Sequence, residues 1–115
     1  MTANKKIIIP FAFRVSAGTV GEKKELWLVD RAKVKTKEIE LHFPSGALNA
    51  LRAELYYGDM KVAPETGYWT GDNGTIRDYP DVIYYRGDKI ILLVRNYHPT
   101  DDFILWGTLE VEEVE

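Results

Sequence analysis

The sequence predicts an all-β protein: an antiparallel two-sheet β-sandwich, jelly-roll-like, with an immunoglobulin-like arrangement as the alternative. Three observations lead there. Almost every segment alternates apolar and polar residues with period two, the pattern of a half-buried strand. Clusters of Gly, Pro, Asn and Asp recur at roughly the 8–12-residue spacing of a sandwich or barrel. No long stretch carries the period of about 3.6 that marks an amphipathic helix. The 115 residues suit one domain spanning 1–115, because two cores would each bury too little surface.

The first strand is expected over 6–15. This stretch imitates a secretory leader, with Lys5-Lys6, then Ile7-Ile8-Ile9, then Val15-Ser16-Ala17. Its apolar run is at the lower limit for such a leader, and Arg14 precedes the would-be cleavage site, so the strand reading is taken. No stretch approaches the roughly 20 apolar residues of a spanning helix. The expectation is a chain without signal peptide or membrane segment, cytoplasmic on synthesis. A second strand is read over 24–34, with Trp27 a candidate core aromatic. A third covers 37–44, where Ile39, Leu41 and Phe43 alternate with Glu38, Glu40 and His42.

Over 50–58, Leu51, Ala53, Leu55 and Tyr57 alternate with Arg52, Glu54 and Tyr56. A helical turn at 46–50 is the competing reading for the start of this stretch. Short strands are read at 60–63, 67–70, 74–77 and 82–86. Residues 88–97 are apolar on both faces, which marks a central strand. The last strand, 103–113, becomes charged toward its end, as an emerging edge does. Leu41, Phe43, Leu55, Ile90, Leu92 and Trp106 are the expected core.

Few residues are suited to chemistry. There are no Cys and two His, which removes disulfides and thiolate metal sites and leaves little for a His-based one. His98, Asp101 and Asp102 share a loop and read first as a polar turn. His42 and Ser45 lack the strained elbow a nucleophilic serine needs. Asp72, Asn73, Asp78 and Asp81 offer oxygens to calcium, but Asp-Asn-Gly is first a hairpin turn. No phosphate-cradling loop is present. We therefore expect no enzyme, no cofactor and no metal. Fifteen Lys and Arg against eighteen Asp and Glu, a charge of −3, argue against a nucleic-acid binder.

Two features point to contacts with other molecules. Aromatics make up 12% of the chain, seven of them Tyr. In the adjacent pairs Tyr56-Tyr57 and Tyr84-Tyr85, one ring must leave its partner's face, and such rings anchor protein interfaces. A carbohydrate-binding module is the alternative, with Tyr68, Trp69 and Tyr84 or Tyr85 in one planar row and calcium near Asp72. The second feature is segregated charge. Arg31, Lys33, Lys35 and Lys37 alternate as a basic stripe, and Glu110 and Glu112 open an acidic end. Such charges protect sheet edges, attract a second copy, or pair within the chain. The interaction residues read from the sequence are thus Arg31, Lys33, Lys35, Lys37, Tyr56, Tyr68, Trp69, Tyr84, Tyr85, Glu110 and Glu112.

The order of cues runs from Ile39-Glu40-Leu41-His42-Phe43-Pro44-Ser45-Gly46 through residues 51–57 and Val62-Ala63-Pro64. It continues with Trp69-Thr70-Gly71-Asp72 and ends at Asn96-Tyr97-His98 before a final strand. It resembles small all-β structural proteins of tailed phages and archaeal proviruses, which decorate capsids or join tail parts. The resemblance covers much of the chain and rests on turns and strand edges. It implies a virion component that acts by assembly, with itself and other structural proteins as partners, and it carries over no catalytic residue.

Overall fold

The structure is a computed structural model that describes residues 5–17 and 21–114, with side chains throughout except those of 21–26. Nine strands follow in order: β1 (Lys6–Val15), β2 (Gly21–Leu28), β3 (Lys33–Phe43), β4 (Leu51–Tyr57), β5 (Met60–Ala63), β6 (Gly74–Asp78), β7 (Ile83–Tyr85), β8 (Lys89–Asn96) and β9 (Phe103–Glu113). One sheet runs β1-β9-β3-β6, with β7 also on β3; the other runs β2-β8-β4-β5. All pairings are antiparallel. No helix occurs among the described residues. The protein is an all-β, two-sheet sandwich.

The pairings are nested. β1 lies beside β9, β2 beside β8, β3 beside β6 and β7, and β4 beside β5. The chain is one long hairpin folded over itself: β1, β2, β3 and β4 alternate between sheets, while β4–β5 and β6–β7 each stay within one sheet. An immunoglobulin sandwich instead groups strands A, B, E and D in one sheet, which is not this order.

Inward residues obey the period of two. Leu51, Ala53 and Leu55 of β4 and Ile90, Leu92 and Val94 of β8 are buried, as are Leu105, Leu109 and Val111 of β9. In β3 the inward phase changes at a bulge between Thr36 and Glu38. Val34 and Thr36 face in before it; Ile39, Leu41 and Phe43 face in after it. The buried Thr36 hydroxyl donates to the Val82 carbonyl (3.2 Å) and accepts from the Val82 N–H (3.0 Å). This satisfies a hydroxyl that would otherwise be costly to bury. Asn96, also buried, donates to the carbonyls of Val15 and Asp101 and accepts the His98 N–H.

Gly107 lets β3 and β9 approach. A Cβ there would stand 1.8 Å from the Glu40 carbonyl oxygen and 3.2 Å from the Phe11 ring. β1 is a sheet edge guarded by Pro10. The Lys5 carbonyl accepts from Glu113 N–H, so by alternation the odd-numbered residues of β1 bond to β9. Pro10 therefore turns its hydrogen-free nitrogen outward, where it blocks strand addition.

Several expectations are corrected. The break expected between 34 and 37 falls at 29–32, so Lys33, Lys35 and Lys37 belong to β3. Residues 67–70 form no strand but a single bridge, Ala53 to Trp69. The 46–50 segment holds turns, with Leu48 and Asn49 at positive φ, so the competing helical reading is set aside. β9 is interior to its sheet, not an edge. Trp106 is half-exposed, because Gly107 takes the inward position beside it. Leu41, Phe43, Leu55, Ile90 and Leu92 are buried as expected, and β8 is central.

Candidate interaction surface

The basic stripe and the acidic strand meet inside one sheet. β3 pairs with β9 so that Lys35 stands opposite Glu112 and Glu38 opposite Glu110. Arg31 reaches Glu113 at 3.0 Å, Lys37 reaches Glu112 at 3.8 Å, and Lys35 reaches Asp81 at 3.1 Å. Lys6, on the other flank of β9, lies 3.9 Å from Glu110. The Glu38–Glu110 juxtaposition is unfavourable by itself; Arg77 beside Glu38 (3.6 Å) and Lys6 beside Glu110 offset it. Lys33 lies opposite Tyr85 of β7. Arg31, Lys35 and Lys37 thus have carboxylate partners within the chain, so the stripe does not need a second copy to balance it.

The aromatics divide. Tyr85 and Tyr68 are exposed and Tyr56 is half-buried. Tyr84 and Trp69 are corrected to core residues, at 0% and 5% exposure. Tyr84 faces in because Tyr85 beside it faces out. Its ring stacks on Tyr57 at 4.9 Å, and its hydroxyl donates to the Tyr56 carbonyl. Trp69 is turned inward by its backbone bridge to Ala53, and its Nε1–H donates to Asp78 at 2.8 Å. The planar row required of a sugar platform is therefore not formed. Trp27 is half-buried against Phe11, with ring centroids 5.7 Å apart.

The Tyr57 hydroxyl donates to Asp88 Oδ2, which also accepts the Tyr85 N–H. The hydrogen bond to Asp88 holds the Tyr57 phenol above its ordinary pKa. The same bond, reinforced by the Tyr85 N–H, holds Asp88 below the usual carboxylate value. Burial raises the Tyr84 phenol strongly. These groups brace the β7–β8 turn against β4.

The other polar candidates also serve the framework. His98 Nδ1 accepts the N–H groups of Thr100 and Asp101. Asp102 accepts from Ala17 N–H at 2.7 Å and lies 3.9 Å from Arg14. Asp72 accepts from Gly46 and Leu48 N–H, tying down the turns before β4. Among the described residues no three His, Asp or Glu side chains converge as metal ligands.

The residue the sequence reasoning missed is Trp106. Outward on β9, it lies between Ala12 of β1 and His42 of β3. The His42 ring stacks on it at 3.7 Å and 7°. His42 shares a hydrogen bond with Thr75 and stands 3.6 Å from Glu40; Arg77 Nη2 donates to Glu40 at 2.9 Å. Ile104 (49% exposed) precedes Trp106 on the same face, and Ile8 (52%) lies farther along β1. On the outer face of the five-stranded sheet Trp106, Ile104 and Ala12 thus form a small apolar spot, bordered by His42, Arg14 and Thr108, with paired charges beyond it. Hydropathy gives no signal for this phase, because the inward residue beside Trp106 is Gly107.

No protein-family model matches the chain, and no curated protein matches it. Two solved structures are similar in fold. The Drosophila NLP core, a structure that provides insight into pentamer formation and histone binding, is 14% identical. That likeness covers 88% of this chain and 96% of that one, with a TM-score of 0.42. A structure of infectious bursal disease virus Gt strain is 10% identical over 90% of this chain, with a TM-score of 0.44. This chain spans 32% of that one. No residue here takes a role from either.

Proposed function

We propose that this chain is a non-enzymatic assembly protein whose outer five-stranded face meets a second copy of itself. The observation that carries the reading is Trp106, half-exposed in the middle of a strand with Ile104 beside it. A large exposed aromatic on a sheet face, with an exposed aliphatic beside it, is what an interface core uses. A second copy is the occupant because the rest of the face carries both signs in pairs. Such a face meets its own copy without net repulsion, and a two-fold contact places the same patch on both sides. The nested strand order supports reading the sandwich as a jelly roll. A virion component, as the sequence resemblance implies, is the particular form of this function. No cofactor enters it.

The test is analytical ultracentrifugation over a wide concentration range at low and high salt. The expected result is concentration-dependent association that survives high salt and is lost in Trp106→Ser. A monomer at every concentration, or association unchanged by Trp106→Ser and Ile104→Ser, overturns the reading.

A further inference from the structure

Arg52 of β4 and Arg95 of β8 are cross-strand partners on the outer face of the four-stranded sheet. Like charges directly opposite repel, and the two side chains take different partners. Arg95 reaches Glu54 at 3.3 Å. The Arg52 guanidinium instead lies between two rings, 4.5 Å from the Tyr68 centroid and 4.4 Å from the Tyr97 centroid. Both rings are exposed, at 42% and 45%. The Arg52 Nε is enclosed and has no hydrogen-bond partner. Arg14, Arg31 and Arg77 each face a carboxylate; none of the described residues supplies one to Arg52.

We propose that Arg52, held between Tyr68 and Tyr97, binds a carboxylate side chain in an acidic peptide segment of a partner protein. The rings cover the flat faces of the guanidinium and, with Nε enclosed, leave the paired Nη1 and Nη2 groups to a ligand. That fork matches a carboxylate in a bidentate manner. Because the rings orient the fork beforehand, little side-chain freedom remains to be lost on binding. The nearby Glu54 is engaged by Lys61 (3.4 Å) as well as Arg95, so Arg52 is the unanswered charge an approaching ligand meets. A single such cation on a chain of net charge −3 suits isolated carboxylates better than the continuous phosphates of a nucleic acid. The site lies on the opposite sheet from Trp106 and does not depend on self-association.

The experiment titrates the full chain with a short glutamate-rich peptide, its glutamine counterpart and a single-stranded DNA oligonucleotide, followed by NMR. The expected result is saturable binding of the glutamate peptide alone, with shifts at the Arg52 Nε–H and the Tyr68 and Tyr97 rings. Arg52→Gln is expected to weaken that binding about tenfold or more, the scale of a lost charge-assisted pair. Tyr97→Leu, which keeps an apolar cover on Arg52, weakens it less and serves if Arg52→Gln does not fold. No saturable binding of the glutamate peptide, binding without shifts at Arg52, or tighter binding of the oligonucleotide through Arg52 overturns the proposal.

Discussion

The Arg31 guanidinium stands 3.0 Å from the Glu113 carboxylate, across 82 residues of sequence. This contact joins the stretch before β3 to the end of β9, and Lys37–Glu112 repeats the pattern at the bulge itself. Because both pairs are partly exposed, each contributes about 0.2–1 kcal/mol. Lys35→Glu with Lys37→Glu is therefore expected to lower stability modestly and, by leaving the outer face of the five-stranded sheet net acidic, to weaken self-association at low salt. Chemical denaturation and ultracentrifugation of the same double variant check the two halves of this statement. Unchanged stability, or association at low salt equal to that of the unaltered chain, would contradict it.

Leu92 and Trp106 predict opposite outcomes from similar truncations. Leu92 is fully buried at the centre of β8, so Leu92→Ala should cost about 2–5 kcal/mol, a transfer loss plus a cavity. Trp106→Ala removes a half-exposed ring stacked on His42 and should cost less than Leu92→Ala. Urea unfolding curves measure both; the reverse order would mean that the facing of β9 is wrong.

Gly107→Ala tests the close approach of β3 and β9. The added methyl has a backbone oxygen in its place, which a side-chain rotation cannot relieve. Overpacking costs about 1–3 kcal/mol where neighbours can move, and here the loss should reach or exceed the upper end. Gly74→Ala is the control, since its nearest neighbour would be 3.6 Å away; it should stay within about 0.5 kcal/mol. Thermal unfolding of the two variants gives the comparison.

Asp88 and Tyr57 predict a two-sided pH dependence. The folded-state pKa of Asp88 is depressed, so its contribution is present above the unfolded value and is lost as pH falls through the folded one. Tyr57 is raised, so its contribution is present below the unfolded phenol value near 10 and is lost as pH rises through the folded one. Asp88→Asn should flatten part of the acid limb of a stability-versus-pH curve, and Tyr57→Phe part of the alkaline limb. Both limbs unchanged would mean that the hydrogen bond contributes nothing.

Much of the architecture was legible because a half-buried strand writes its facing locally. The bounds of β1 and β9, the inward set of β4 and the central place of β8 follow from alternation between neighbours along the chain. Where alternation fails to discriminate, reading failed. Ile104, Leu105 and Trp106 are apolar on both faces, and the inward Gly107 carries no hydropathy, so alternation alone places Trp106 on the wrong side. The bulge at Thr36 shifted the phase of β3 by one residue, which no local pattern announces.

The β class, the shortage of ligating side chains and the presence of two charge blocks are written in the residues alone. Each depends on composition or on neighbours a few residues apart. That the blocks face each other, that Trp69 and Tyr84 are inside, and that Arg52 lies between two tyrosines emerges from the folded arrangement. Those outcomes depend on which strands become neighbours. That choice is made by burying all the inward faces at once in nested pairs, β1 with β9 and β2 with β8, between segments far apart in the chain.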